Sequence, residues 1–169
     1  GDEFMGMGPR RARTGTFATM CALVIACPNL EAVYRQAYQF SRLFEPMVAM
    51  ELETQGEKAR LVLRIEGEIR DPCYFLRESI LVIWHRLGSW LIGQPVELEQ
   101  ARFQYPRPPH GDEYRHIFHC PLAFEAGETT AAGVRVAHLV VGLEAEATNH
   151  SSELFLVDTA ITISIPFSK

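Results

Sequence analysis

The chain has 169 residues, 47% of them hydrophobic, enough to bury the core of one ordinary domain without metal or disulfide support. Sixteen Lys and Arg against twenty-one Asp and Glu leave a formal charge of −5, which argues against a chain that grips nucleic acid by itself, since phosphate affinity rests on basic side chains. The four cysteines, Cys21, Cys27, Cys73 and Cys120, have no CxxC spacing and follow no signal peptide, so they read as reduced thiols of a cytoplasmic protein.

The opening GDEFMGMGPRRARTGT is rich in Gly and charge and reads as a loop or irregular arm, with Arg10, Arg11 and Arg13 as solvated surface first and a phosphate contact second. Thr16 is a fair N-cap for a helix over Phe17 to Ala26. Cys27-Pro28 breaks it, because the residue before proline is pushed out of the helical region. Asn29 then caps a second helix, whose stripe of Val33, Tyr34, Ala37, Phe40 and Phe44 faces a core and whose Glu31, Arg35, Gln36, Gln39 and Arg42 face water. Val48 to Thr54 and Ala59 to Glu66 alternate apolar and polar residues, which predicts an antiparallel hairpin with one wet face, joined through Gln55-Gly56-Glu57-Lys58.

Asp71-Pro72 is the start signal for the next helix, with Asp71 as N-cap. Its centre is Glu78 to Gly93, ESILVIWHRLGSWLIG, the longest apolar segment. Ile80, Ile83, Trp84, Leu87, Trp90 and Leu91 recur at helical spacing, and Leu81, Val82 and Ile92 widen the face. A buried central helix is expected, with Arg86 and Ser89 reaching solvent or a polar cavity. It is too short and too charged to cross a bilayer, which takes roughly 20 apolar residues. Gly93 stops it, with Pro95 just beyond.

Val96 to Tyr105 reads as a strand and Pro106 to His110 as an extended loop. Asp112 to Cys120 reads as a short helix ended by Pro121, and Leu122 to Phe124 as a short strand. Val134 to Val141 and Leu154 to Ile165 are rich in β-branched residues and predict strands around a polar turn at Thr148 to Ser152. The expected class is α+β, a largely antiparallel sheet packed against the long buried central helix and two N-terminal helices.

His116, His119 and Cys120, with His110 upstream, invite a metal reading, since imidazole and thiolate suit zinc. No second ligand pair has the required spacing, so no metal is expected. No Ser/His/Asp signature, nucleophile elbow, phosphate loop or HExxH is present, and no cofactor is implied. Trp84, His85, Arg86 and Trp90 have two readings from periodicity. They wall a small-molecule pocket, or the tryptophans are core and His85 is hydrogen-bonded locally.

FATMCALVIACPNLEAVYRQAYQFSRLFEP, ESILVIWHRLGSWLIG and FQYPRPPHGDEYRHIFHCPLAFEAG, in this order and spacing, resemble the N-terminal effector-binding domain of AraC-type transcriptional regulators, the arabinose-binding variant. The most specific pieces are Trp84-His85-Arg86, Tyr105-Pro106-Arg107-Pro108, and Tyr114, Phe118, Cys120-Pro121 and Phe124. His119 stands where the family usually has Gly, a departure that weakens the metal reading further.

The resemblance implies a cytoplasmic bacterial regulator whose domain senses a small-molecule effector and forms a homodimer, with DNA bound only through a separate C-terminal helix-turn-helix domain not found in this chain. It also implies more helix before Gly1. It covers residues 1–130 as an effector-binding and dimerisation domain, whereas 131–169 is a β-rich tail that does not match. The resulting expectation is a non-enzymatic sensor with Trp84, His85 and Trp90 at the pocket and Arg86 for an anionic group. The rivals are a small enzyme using Cys120 or another thiol with a neighbouring His, and a ligand-free structural dimerisation module.

Overall fold

In the computed structural model, the described residues are 1–55 and 58–135, with the strand pairs Leu154–Phe155 and Thr162–Ile163. Helix α1 (Thr16–Val24) begins after Gly15, whose φ of 97° is left-handed. Thr16 does not cap it. The Glu3 carboxylate, folded back from the opening arm, accepts from the backbone N–H of Gly15 at 2.6 Å and Phe17 at 2.9 Å, supplying acceptors that the first turn lacks. Helix α2 (Leu30–Ser41) is capped as its sequence predicts, Asn29 Oδ1 accepting from Ala32 N at 2.9 Å. Leu30, Val33, Tyr34 and Ala37 form its buried face.

The predicted hairpin is present as β1 (Val48–Gln55) and β2 (Lys58–Ile65), antiparallel. Its turn residues 56 and 57 lie outside the described residues. The register sets Met50 opposite Leu63 and Leu52 opposite Leu61, all buried. By the two-residue period of a strand, Glu51, Glu53, Arg60 and Arg64 share the other face. There Arg64 pairs with Glu51 at 2.7 Å and with Glu53, and Arg60 pairs with Glu53 and Glu128. This is the wet face of the hairpin, laced by cross-strand charge pairs.

Helix α3 (Phe75–Leu91) starts later than its sequence signal. Tyr74 takes a left-handed φ of 62°, and the Asp71 carboxylate reaches past it to accept from Leu76 N at 3.0 Å and Arg77 N at 3.2 Å. Arg77 also pairs with Asp71 at 3.2 Å, and the Asp71 side chain is fully buried. Asp71 therefore does the work of a cap from several residues away. The helix buries one side, Leu76, Ile80, Leu81, Trp84, His85, Leu87 and Gly88, while Ile83, Trp90 and Leu91 are partly exposed and Arg86 is exposed. Its apolar face is thus narrower than the sequence implied.

The end of α3 follows its sequence signals. Gly93 has a left-handed φ of 65°, its N–H bonds the Trp90 carbonyl at 3.2 Å, and Gln94 N bonds the Ser89 carbonyl at 3.2 Å. These two bonds are the Schellman arrangement that glycine favours after a helix.

Of the expected strand Val96 to Tyr105, only Gln100–Arg102 (β3) pairs regularly. A short helix α4 (Tyr114–Phe118) and strand β4 (Leu122–Ala123) follow, close to their predicted places. Strand β5 (Thr130–Arg135) begins before the predicted Val134. The five strands order as β1-β2-β5-β3-β4, antiparallel except for the parallel pair β3 and β4. Two short strands, β6 (Leu154–Phe155) and β7 (Thr162–Ile163), pair antiparallel. The rest of the predicted C-terminal strands and their turn lies outside the described residues. The fold class is α+β, with a mostly antiparallel sheet.

Helix α2 packs on β1, and α3 on β2 and β5. Leu61, Ala131 and Ala101 line up across β2, β5 and β3 and are all buried. Phe103 is fully buried, with ring centroids of Tyr114 at 4.8 Å, Phe124 at 5.2 Å and Phe118 at 5.8 Å. At the other end of the core, Trp84 packs on Tyr34 at 5.9 Å and edge-on to Phe17 at 6.5 Å. The Tyr34 hydroxyl donates to the Trp84 carbonyl at 3.2 Å. This contact needs a glycine one turn later, because a Cβ at Gly88 would collide with that hydroxyl and sit 3.3 Å from Cζ of the same ring.

Two stability outcomes follow from these contacts. Gly88→Ala is expected to lower stability by about 1–3 kcal/mol through overpacking, although alanine is the better helix former by about 1 kcal/mol. Adding Tyr34→Phe should recover part of the loss, and denaturant unfolding of both single variants and the pair measures this as a non-additive term. Asp71→Ala, which strands two helix N–H groups and Arg77, should cost about 1–2 kcal/mol and lower the melting temperature by several degrees.

Candidate ligand cleft

The Schellman turn after α3 sends the chain back along the helix, and two side chains of the last turns hold it there. His85 Nε2 lies 2.8 Å from the Val96 carbonyl. Ser89 Oγ accepts from Val96 N at 3.0 Å while donating to the His85 carbonyl at 3.0 Å. Both backbone polar groups of Val96 are thereby satisfied by helix side chains. That is why the segment starting at Val96 does not run as a regular strand until Gln100.

Between this returning segment, the end of α3 and the end of α4 lies a cleft of about 750 Å³. His85, Arg86, Ser89 and Trp90 line it from α3, residues 93–98 from the returning turn, Phe118 from the end of α4 and His119 from just after it. The volume falls within the usual range for small-molecule sites, roughly 300–1,000 Å³. Apolar surface comes from Trp90, Leu98 and Phe118, and charge from Arg86 and Glu97.

His85 is 95% buried, being 5% exposed. Because a carbonyl oxygen only accepts, the bond to Val96 fixes the proton on Nε2 and leaves Nδ1 as an acceptor. Nδ1 is buried and has no hydrogen-bond partner. Burial pushes the His85 pKa below its ordinary value, the bond to Val96 partly offsets this, and neighbouring Arg86 and His119 push the same way as burial. The ring is therefore neutral at physiological pH. Arg86 is exposed at the cleft and donates one bond, at 3.1 Å, to the Ile117 carbonyl, which ties α3 to the last turn of α4.

Of the residues singled out from sequence, His85, Arg86 and Trp90 meet at this cleft. Trp84 does not line it and packs with Phe17 and Tyr34 instead. Ser89, expected to reach solvent or a polar cavity, lines the cleft, whereas the sequence places Glu97 and Leu98 only in a strand. The signal that places them is Gly93 followed by Pro95, which announces a chain reversal onto the helix end.

The histidine group upstream of Cys120 is dispersed. His110 Nε2 sits 3.0 Å from the Glu78 carboxylate, which also accepts from Tyr114. His116 is exposed, and α4 ends at Phe118, so His119, at a left-handed φ of 51°, leaves the helical face it was expected to share with His116. Among the described residues, no three His, Cys, Asp or Glu side chains gather closely enough to hold a metal ion. Burial pushes the thiol of Cys21 up to about 11 and raises those of Cys27 and Cys120, the opposite of what a thiolate nucleophile requires. Among the described residues, no helix is long and apolar enough to cross a membrane.

The arabinose-binding domain of AraC transcription regulators, N-terminal, matches residues 1–138, a span that runs through β5. The chain is also similar to the ornithine utilization regulator of Pseudomonas aeruginosa, 22% identical over 102 residues, or 60% of this chain and 30% of that protein. The chain thus aligns with less than a third of the curated relative's length. A match over this much of the sequence shows the family, and the chain belongs to the N-terminal arabinose-binding domains of AraC transcription regulators, which are ligand-sensing regulatory domains.

Proposed function

We propose that this domain binds a small-molecule effector in the cleft at the C-terminal end of α3 and thereby regulates a separate DNA-binding domain of the same regulator, with no catalysis of its own. The observation that carries this reading is a cleft walled by the 95%-buried His85, whose Nδ1 alone lacks a partner, the exposed guanidinium of Arg86 and the partly exposed indole of Trp90. A polar group buried without a partner costs stability, and sites that keep one often reserve it for a ligand. The family supports a sensor, and a relative named for ornithine utilization supports a metabolite as the signal. The raised thiols weigh against the rival cysteine enzyme.

A signal requires that the effector bind one conformation better than another. The clamp on Val96 offers a route, because the residues that would touch the ligand also hold the segment leading into β3. A ligand that reorients His85 or Ser89 therefore acts on the sheet through Val96.

The chain has two tryptophans, so single-tryptophan variants report the site separately. With a metabolite that raises the melting temperature, the Trp84→Phe protein, which keeps Trp90, should show a fluorescence change, and the Trp90→Phe protein should show little. A response carried by Trp84 alone would place the ligand elsewhere. Arg86→Ala is expected to weaken binding of an anionic effector by about tenfold or more, the worth of a charged hydrogen bond.

His85 also gives a pH dependence with a definite sign. Its folded pKa lies below the unfolded value of about 6.5, so the unfolded chain takes up this proton first. The contribution of the neutral ring is intact above about pH 7 and is lost as pH falls through about 6.5 toward the lower folded value. His85→Gln, which keeps a donor for the Val96 carbonyl, should flatten the fall in melting temperature between neutral and mildly acidic pH. An unchanged slope would contradict a buried neutral ring.

A further inference from the structure

Arg86 and Glu97 line one cleft and form no ion pair with each other, nor does either form one with any other group among the described residues. Arg86 spends one donor on the Ile117 carbonyl and keeps the rest of its fork. Glu97 is exposed. His85 Nδ1 has no hydrogen-bond partner but also almost no accessible surface, its tautomer being fixed by Val96, so it is not among the groups that meet a ligand directly. The cleft thus carries one cation and one anion that do not pair, beside the neutral polar side chains of Ser89 and Gln94 and the His119 ring, around an indole and a phenyl ring.

Resting on the reading of this cleft as the effector site, we propose that the effector is a zwitterionic amino acid, its carboxylate held by Arg86 and its ammonium facing Glu97. Arg offers the planar fork that matches a carboxylate. Glu97 supplies the countercharge for an ammonium, and the apolar part of the ligand packs on Trp90 and Phe118. A cationic group over an indole face gains further attraction.

Other ligand classes fit this inventory less well. A neutral sugar offers no countercharge to either Arg86 or Glu97. A phosphate or dicarboxylate meets Glu97 as a like charge, which disfavours the wrong partner. A simple amine leaves Arg86 unmatched, and a simple carboxylic acid leaves Glu97 unmatched. A ligand with both groups pairs both charges.

The test uses the full chain, with thermal shift and calorimetric titration against the standard L-amino acids. Each amino acid that binds is then compared with the matched amine lacking the carboxylate and the matched acid lacking the ammonium. At least one amino acid should raise the melting temperature, and each truncated analogue should bind about tenfold more weakly or worse. Glu97→Gln should weaken the amino acid but leave the deaminated acid unchanged, and Arg86→Gln should weaken the amino acid but leave the decarboxylated amine unchanged. Both positions are exposed, and circular dichroism of each variant checks that it folds.

The proposal is overturned if no amino acid stabilises the chain, or if a truncated analogue binds as tightly as its parent. The two readings fail differently. A neutral or purely anionic metabolite that binds and changes Trp90 fluorescence keeps the cleft and removes the zwitterion. An amino acid whose binding ignores both substitutions removes the cleft as well.

Discussion

The fit of the Tyr34 side chain of α2 against Gly88 of α3 is the constraint on which the other contacts rest. It lets the Tyr34 hydroxyl reach the Trp84 carbonyl and brings the Trp84 ring against Tyr34 and Phe17. With α3 fixed there, its side chains fasten the loops at both ends. Asp71 and Glu78 act at the beginning, the first capping the helix and the second accepting from Tyr114 and His110. His85 and Ser89 act at the end through Val96. Each tie joins a helix position to a segment that has little regular pairing of its own.

The consecutive residues Trp84, His85 and Arg86 illustrate how one helix turn serves three surroundings. Successive residues point about 100° apart. Trp84 faces α1 and α2, His85 faces the returning chain, and Arg86 reaches the end of α4. The motif is both structural and cleft-lining, divided residue by residue. Its middle member makes the link, since the bond that holds Val96 also leaves the other ring nitrogen as a buried acceptor without a partner.

What could be read from sequence was local. The β1-β2 hairpin follows from two-residue alternation, Asn29 caps its own helix, and Gly93 ends α3 with the bonds expected of a glycine there. Signals that depend on distant partners were misplaced. Glu3 rather than Thr16 caps α1 from the opening arm, and the strand expected from Val96 shortens to β3 because helix side chains take the backbone bonds of Val96. Periodicity put Trp84 and Trp90 on one broad apolar face, yet it carries no information about what meets that face. One ring met two helices and the other met a cleft. The sheet position of β5 between β2 and β3 was equally illegible, since pairing across the chain depends on residues far apart in sequence.

The central claim is that the neutral His85 ring, protonated on Nε2, holds Val96 at the wall of the effector cleft. Nitrogen-15 NMR of the histidine side chains tests it most directly, because it distinguishes the two neutral tautomers and the charged ring. At neutral pH the account predicts an Nε2-protonated His85 in the free domain, with the Nδ1 resonance shifting when a stabilising amino acid saturates the cleft. An Nδ1-protonated or charged ring, or a His85 signal that ignores such a ligand, would contradict it.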